Sequence, residues 1–210
     1  MRKIGVIEGD GFTCTVIEDD DKRVHFTADA DIDADGANGQ NNAPAAYNVS
    51  DTGTEALANG GMKIKNGKVI CAKSWARSVV ILGADNEPKI FAGGIIASMT
   101  WYRIPGKSRD DLSAYLDAET IPYIVVPQLI VQQTVGVIRG CKARVTWKDK
   151  SVDCVVADKG PPNKIGELSI AAARAVGIPE SPRNGGLGKA EVFYELWPGI
   201  PAHGFELQTS

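Results

Sequence analysis

Short apolar or alternating runs, each closed by turn residues, recur along the whole chain and constrain its fold more than any other feature. Such a pattern specifies strands that bury one face, since side chains on a strand point alternately to its two sides. The clearest case is Cys141–Ala157, where CKARVTW alternates, WKDKS turns and VDCVVA returns as a hairpin. Further strands are expected at Lys3–Ile7, Phe12–Ile17, Arg23–Thr27, Val69–Cys71, Ser78–Leu82, Lys89–Ala97, Tyr123–Val131, Val135–Ile138 and Ala190–Leu196. The 23 glycines and 11 prolines suit a fold with many turns.

Only two segments carry helix signals. Ser108–Leu116 opens with Ser108 and, three residues on, Asp111, which resembles a capping box. The alanine-rich stretch from Gly166 to Val176 stops at Gly177, with Pro179 beyond it. Between Ala28 and Ser50 the chain is rich in Asp, Asn, Gly and Ala, and a long irregular loop is expected there. At 210 residues one domain is the default, with an elaboration over about 1–100 and a core over about 101–210.

Charge narrows the partners. With 23 basic and 26 acidic residues the net charge is −3, and no Lys/Arg stripe marks a nucleic-acid surface. No segment approaches the roughly 20 apolar residues that span a membrane. MRKIGVIEGDG holds no apolar run of signal-peptide length, so a soluble monomer is expected, cytoplasmic, phage-associated or exported by another route. Cys14, Cys71, Cys141 and Cys154 form no CxxC spacing. Free thiols are expected, and Cys141–Cys154 is the first pair to test for a disulfide. His25 and His203 are isolated, and no cofactor motif is visible.

Two constellations carry chemistry. In VVADKGPPNKIGELSIAAARAVGIP, Asp158 closes an apolar strand and Glu167 begins the expected helix. Two carboxyls in different surroundings can hold different pKa values and divide acid and base roles, as glycosidic cleavage requires. The alternative is a turn cap and a helix-start charge. In FTADADIDADGANGQNN, Asp29, Asp31, Asp33 and Asp35 alternate, so an extended backbone would set them on one side. Asp31-x-Asp33-x-Asp35-Gly36 also matches the opening of a calcium loop, but the bidentate Glu required at position 12 would fall at Asn42. A solvated acidic loop and a subsite for cationic sugar are the other readings.

Taken in order, DADIDADGANGQ, LDAETIPYIVVP, VVADKGPPNKIGELSIAAARAVGI and RNGG resemble the fungal-type chitosanases of glycoside hydrolase family 75, over roughly Thr27 to Leu196. The resemblance implies inverting hydrolysis of β-1,4 bonds between glucosamine units, with Asp158 and Glu167 as the essential carboxylates. On a chitosan substrate Asp29, Asp31, Asp33 and Asp35 are the candidates to meet ammonium groups, Asp31 and Asp33 first, and Trp101 and Tyr102 the candidates to stack on sugar faces. Asn184 is a further candidate contact, Glu119 either lines the cleft or sits in the turn before Pro122, and no metal or cofactor is expected. Ala34 stands where fungal members carry a Cys, so their disulfide framework is not expected. DKGPPNKIGELSIAAARAVGI is also similar to a stretch of double-psi β-barrel proteins such as rare lipoprotein A. The expected fold is therefore mainly β, a double-psi-like barrel with a few short helices and an N-terminal β-rich elaboration. A peptidoglycan glycosidase or lytic transglycosylase, a non-catalytic carbohydrate-binding barrel and a phage structural protein are the competing functions.

Overall fold

A computed structural model describes residues 1–9, 11–39 and 45–209. Six strands form a closed barrel: β3 (Val24–Asp33), β8 (Tyr123–Pro127), β9 (Cys141–Trp147), β10 (Lys150–Gly160), β11 (Glu167–Ser169) and β12 (Leu187–Pro201). They run in the order β3-β11-β8-β10-β9-β12, and β12 returns to pair with β3. The pairs β11–β3 and β10–β8 are parallel, and the remaining barrel pairs are antiparallel. Closure leaves no unpaired edge among the six.

Alternation along the strands creates two cores. Ile124 and Val126 of β8 point into the barrel with Phe26, Leu168, Tyr194 and Leu196. Tyr123 and Val125 point the other way, with Val155 and Ala157 of β10, into a second cluster that includes Tyr47, Met62 and Leu116. The stretch between β3 and β8 thus packs on the outside of the barrel wall. It holds two small antiparallel pairs, β4 (Tyr47–Asn48) with β7 (Ile95–Ile96) and β5 (Met62–Lys65) with β6 (Lys68–Cys71). Asn66 and Gly67, both at positive φ, make the β5–β6 turn, the residue pair that such a tight hairpin favours. An N-terminal hairpin, β1 (Arg2–Gly9) and β2 (Phe12–Glu18), extends the sheet from β3.

The Cys141–Ala157 hairpin forms as the alternation requires, turning at Lys148 and Asp149. Several other expectations are corrected. The supposed loop after Ala28 is strand as far as Asp33, because its backbone pairs with β11 and β12. The segment before residue 100 therefore supplies a barrel strand as well as the elaboration. Tyr123–Val131 is strand only to Pro127, beyond which α2 (Gln128–Gln133) begins. Ser78–Leu82 opens in the short helix α1 (Ala76–Val79) and leaves only single bridges at Val80 and Leu82. Lys89–Ala97 is strand only at Ile95–Ile96, and Val135–Ile138 forms none.

Both expected helices shrink. In place of Ser108–Leu116 there is one 3-10 turn, Leu112–Ala114, whose Ser113 N–H donates to Asp111. The alanine-rich helix α3 begins only at Ile170 and ends at Val176. Ser169 is its N-cap, accepting from the Ala172 N–H at 3.2 Å, and Gly177 closes it at φ 85°. Glu167 and Leu168 are drawn into the barrel as strand, pairing with β3 on one side and β8 on the other. All four cysteines are buried and free. No helix among the described residues is long and apolar enough to cross a membrane.

Candidate active site

Glu167 and Asp158 belong to different strands, yet both pair with Val125 of the strand between them. Partners in one register row point to the same face of a sheet. Here that is the outer face, beneath the stretch between β3 and β8. A bulge between Val156 and Asp158 resets β10 so that Asp158 takes this position. Asp158 and Glu167 thus sit on the two strands that flank β8. The row continues to Asp31, which pairs with Glu167, and two rows on, on the same face, Ser169 pairs with Asp33. Gly160 keeps the space open: a Cβ there would stand 3.3 Å from Glu167 Oε2.

The acidic run therefore divides by its distance along β3. Asp29 is buried beside Gly166, whose added Cβ would meet Asp29 Oδ1 at 2.4 Å, so that Asp lies deep in the barrel wall. Asp31 is partly exposed and forms a 3.3 Å ion pair with Lys164. Asp33 is buried and accepts the Asp35 N–H at 2.8 Å. Asp35 turns toward Asp158, and Asp33, Asp35 and Asp158 each bring a carboxylate oxygen within 4.8 Å of the others. Oxygen donors so placed suit a hard cation. The calcium-loop register is not what gathers them, because Asp31–Asp33 is extended strand; Asn42 lies outside the described residues.

Crowded and buried, these carboxyls resist ionisation. Burial pushes Asp158 up to about 8, aided by the charge of Asp33 and opposed by N–H groups of Lys159 and Trp101. Those groups donate to Asp158 Oδ1 at 2.7 and 2.9 Å. Glu167 is pushed well above the usual range by burial and by Asp33, Asp158 and Asp31, against Lys164. Burial also raises Asp33 to about 6, opposed by the Asp35 N–H and the Tyr123 hydroxyl. Asp35 rises well above its ordinary value through burial and the charges of Asp33, Asp158 and Glu55. Glu55 reaches about 7, through burial and Asp33. A set of this kind holds protonated and ionised carboxyls side by side near neutral pH, which acid–base catalysis needs.

A cleft of about 980 Å³ opens onto this cluster. Asp35, Asp158, Trp101 and Lys159 line it, as do Arg103, Arg139 and the C-terminal residues Leu207–Thr209. Arg139 fixes that tail by donating to the carbonyls of Gln208 and Thr209. Glu167 is half-buried behind Gly160, outside the lining.

Trp101 lines the cleft. Tyr102 does not serve as a stacking platform: it is 3% exposed, packed edge-on against Phe205 in the second core. Glu119 is buried and accepts from Thr54 Oγ1 at 2.8 Å, away from the cleft lining. Asn184 sits on an exposed turn outside the lining. Its neighbour Arg183 donates to the carbonyls of Asp51, Gly53 and Glu55, and so holds the segment that brings in Glu55. No periodicity or motif marks Glu55 or the tail, and Tyr123 is legible in the sequence only as a strand residue of PYIVVP. No family model matches the chain, and no curated protein matches it.

Proposed function

We propose that the chain is an endo-acting glycoside hydrolase that cuts β-1,4 bonds of an amino-sugar polysaccharide, with chitosan as its substrate and inversion as its stereochemical course. The observation that carries this reading is the placement of Asp158 and Glu167 on one face, either side of Val125. An inverting pair holds its carboxyl groups roughly 6.5–9.5 Å apart to admit a water, and placement on two strands that flank a third leaves room for such a gap. The resemblance to family 75 and to double-psi barrels points the same way, and a six-stranded mixed barrel is compatible with both.

In this mechanism Glu167, the carboxyl with the stronger charge crowding, donates its proton to the leaving glycosidic oxygen. Asp158 accepts a proton from the attacking water. Its two N–H donors favour the ionised form over that of Glu167. Exchange with solvent then returns Glu167 to its protonated and Asp158 to its ionised state. Asp31, partly exposed at the rim of the acidic row, would attract an ammonium group, and Trp101 would stack on a sugar face.

A second reading, cleavage of peptidoglycan, draws support from the cations along the same cleft, since that polymer carries carboxylates. The deciding experiment is reducing-end release from chitosan and peptidoglycan, side by side, by wild type and Glu167→Gln. Cleavage of chitosan that is lost in the variant is expected. If the wild type cuts neither polymer, the chain is not this kind of enzyme.

A further inference from the structure

The chain has nine arginines, and six are paired with carboxylates. Those six are Arg2, Arg23, Arg77, Arg144, Arg174 and Arg183. The other three, Arg103, Arg109 and Arg139, have no carboxylate within ion-pair distance among the described residues, and all three line the 980 Å³ cleft. Lys159 joins them there. In a protein of net charge −3, unpaired cations gathered in one concavity are not a by-product of composition.

Their positions tie them to the candidate chemistry. Trp101 donates its N–H to Asp158, and the carbonyl of Trp101 accepts from Arg139 at 3.3 Å. The Arg139 guanidinium also lies over the Trp101 ring, 5.1 Å from its centroid. Arg139 is thereby fixed by its own backbone contacts. Arg103 and Arg109 are exposed; the Arg109 side chain reaches the Tyr115 hydroxyl, and neither guanidinium is paired with a carboxylate among the described residues. Planar guanidinium forks with free donors are suited to carboxylate and phosphate oxygens.

We propose that Arg103, Arg109 and Arg139 form a subsite for an anionic substituent, a carboxylate or a phosphate ester, carried by a sugar residue bound beside Trp101. A glucosamine polymer that also bears such anionic groups would meet both the carboxylates and the guanidiniums that line the cleft. This rests on the glycosidase reading for the ligand's being a glycan, but not for the charge it carries.

The test is calorimetric binding to the Glu167→Gln protein. Carboxymethylated and phosphorylated glucosamine oligomers are compared with their neutral N-acetylated parent at low salt. The anionic oligomers are expected to bind about tenfold tighter, a preference that fades at high salt. The double variant Arg103→Gln/Arg109→Gln, made in the same background, is expected to lose most of that preference, while Lys63→Gln, on the β5–β6 hairpin, keeps it. The tighter of the two anionic series identifies the anion. Equal affinity for neutral and anionic oligomers, or a preference untouched in the double variant, overturns the subsite. Reducing-end release by the wild type is read separately. A binding preference without any cleavage would remove the glycosidase reading and leave the subsite standing.

Discussion

Trp101 donates its backbone N–H to Oδ1 of Asp158 at 2.9 Å, so the aromatic lining the cleft and the proposed water-activating carboxylate are held as one unit. A second donor, the Lys159 N–H, fixes the same oxygen at 2.7 Å. Both come from the main chain, so they survive substitution of their own side chains. The carboxylate can therefore be altered with little disturbance to its setting.

Asp158→Asn and Glu167→Gln are each expected to lower reducing-end release by about 10²–10⁴-fold, the range typical of a lost acid or base. Neither should lower the melting temperature at pH 8. Each replaces a crowded buried carboxyl by a neutral group of the same shape, which relieves repulsion from Asp33. Thermal unfolding separates this outcome from simple misfolding. Unchanged turnover in Glu167→Gln would remove that residue from the mechanism.

Stability should fall as pH rises. Folded Asp33, Glu55 and Asp158 hold their protons up to about 6, 7 and 8, whereas unfolded carboxyls release them near 4. Between those limits the native state binds more protons, so the stability contributed below pH 4 is lost progressively toward pH 8. Denaturant midpoints at pH 5, 6.5 and 8 should decline in that order, and Asp158→Asn should flatten the last step.

The pH dependence of turnover assigns the two roles. If Asp158 is the base, kcat/KM on soluble glucosamine oligomers rises from pH 6 toward about 8 as it ionises. A fall over the same interval would make Asp158 the acid and Glu167 the base.

The barrel strands were legible wherever alternation was strict, as in Cys141–Ala157, because period-2 burial leaves a direct imprint on sequence. Asp158 and Glu167 share Val125 as a register partner through pairing that no local pattern encodes. Helix propensity in ELSIAAARAV extends through Glu167, yet hydrogen bonding to β3 and β8 outweighs that local preference. The acidic composition of Asp29–Asp33 predicts a loop, because Asp is rare in strands. Their backbone is paired in the barrel wall, and alternation still sets the three on one face. Glu55, the C-terminal wall and the arginines of the cleft are joined only by tertiary contacts, and no local pattern encodes those.

The thiols offer a check on the barrel interior. Burial raises Cys14 to about 11 and Cys141 to about 12, and drives Cys154 higher still, so the reactive thiolate is suppressed. In native buffer a thiol reagent should label these three slowly or not at all. In denaturant it should titrate all four cysteines without prior reduction. A titre of two in denaturant would mean that a disulfide had formed.

Arg183 is expected to matter to the site without touching it. Its Nη2 donates to the carbonyls of Asp51, Gly53 and Glu55 at 3.0, 3.1 and 3.0 Å, and Nε reaches Gly53 at 3.3 Å. One planar guanidinium thus closes a segment of backbone whose last member, Glu55, is raised to about 7 within the acidic cluster. A lysine has the charge but not the fork, so Arg183→Lys should fail almost as fully as Arg183→Ala. Both should speed proteolysis within residues 50–56 and lower turnover about tenfold, a cost of about 1.4 kcal/mol in the barrier. The global melting temperature should move by only a few degrees, because the barrel core makes no use of this contact. Equal proteolysis of wild type and Arg183→Ala would show that the segment is held by other means.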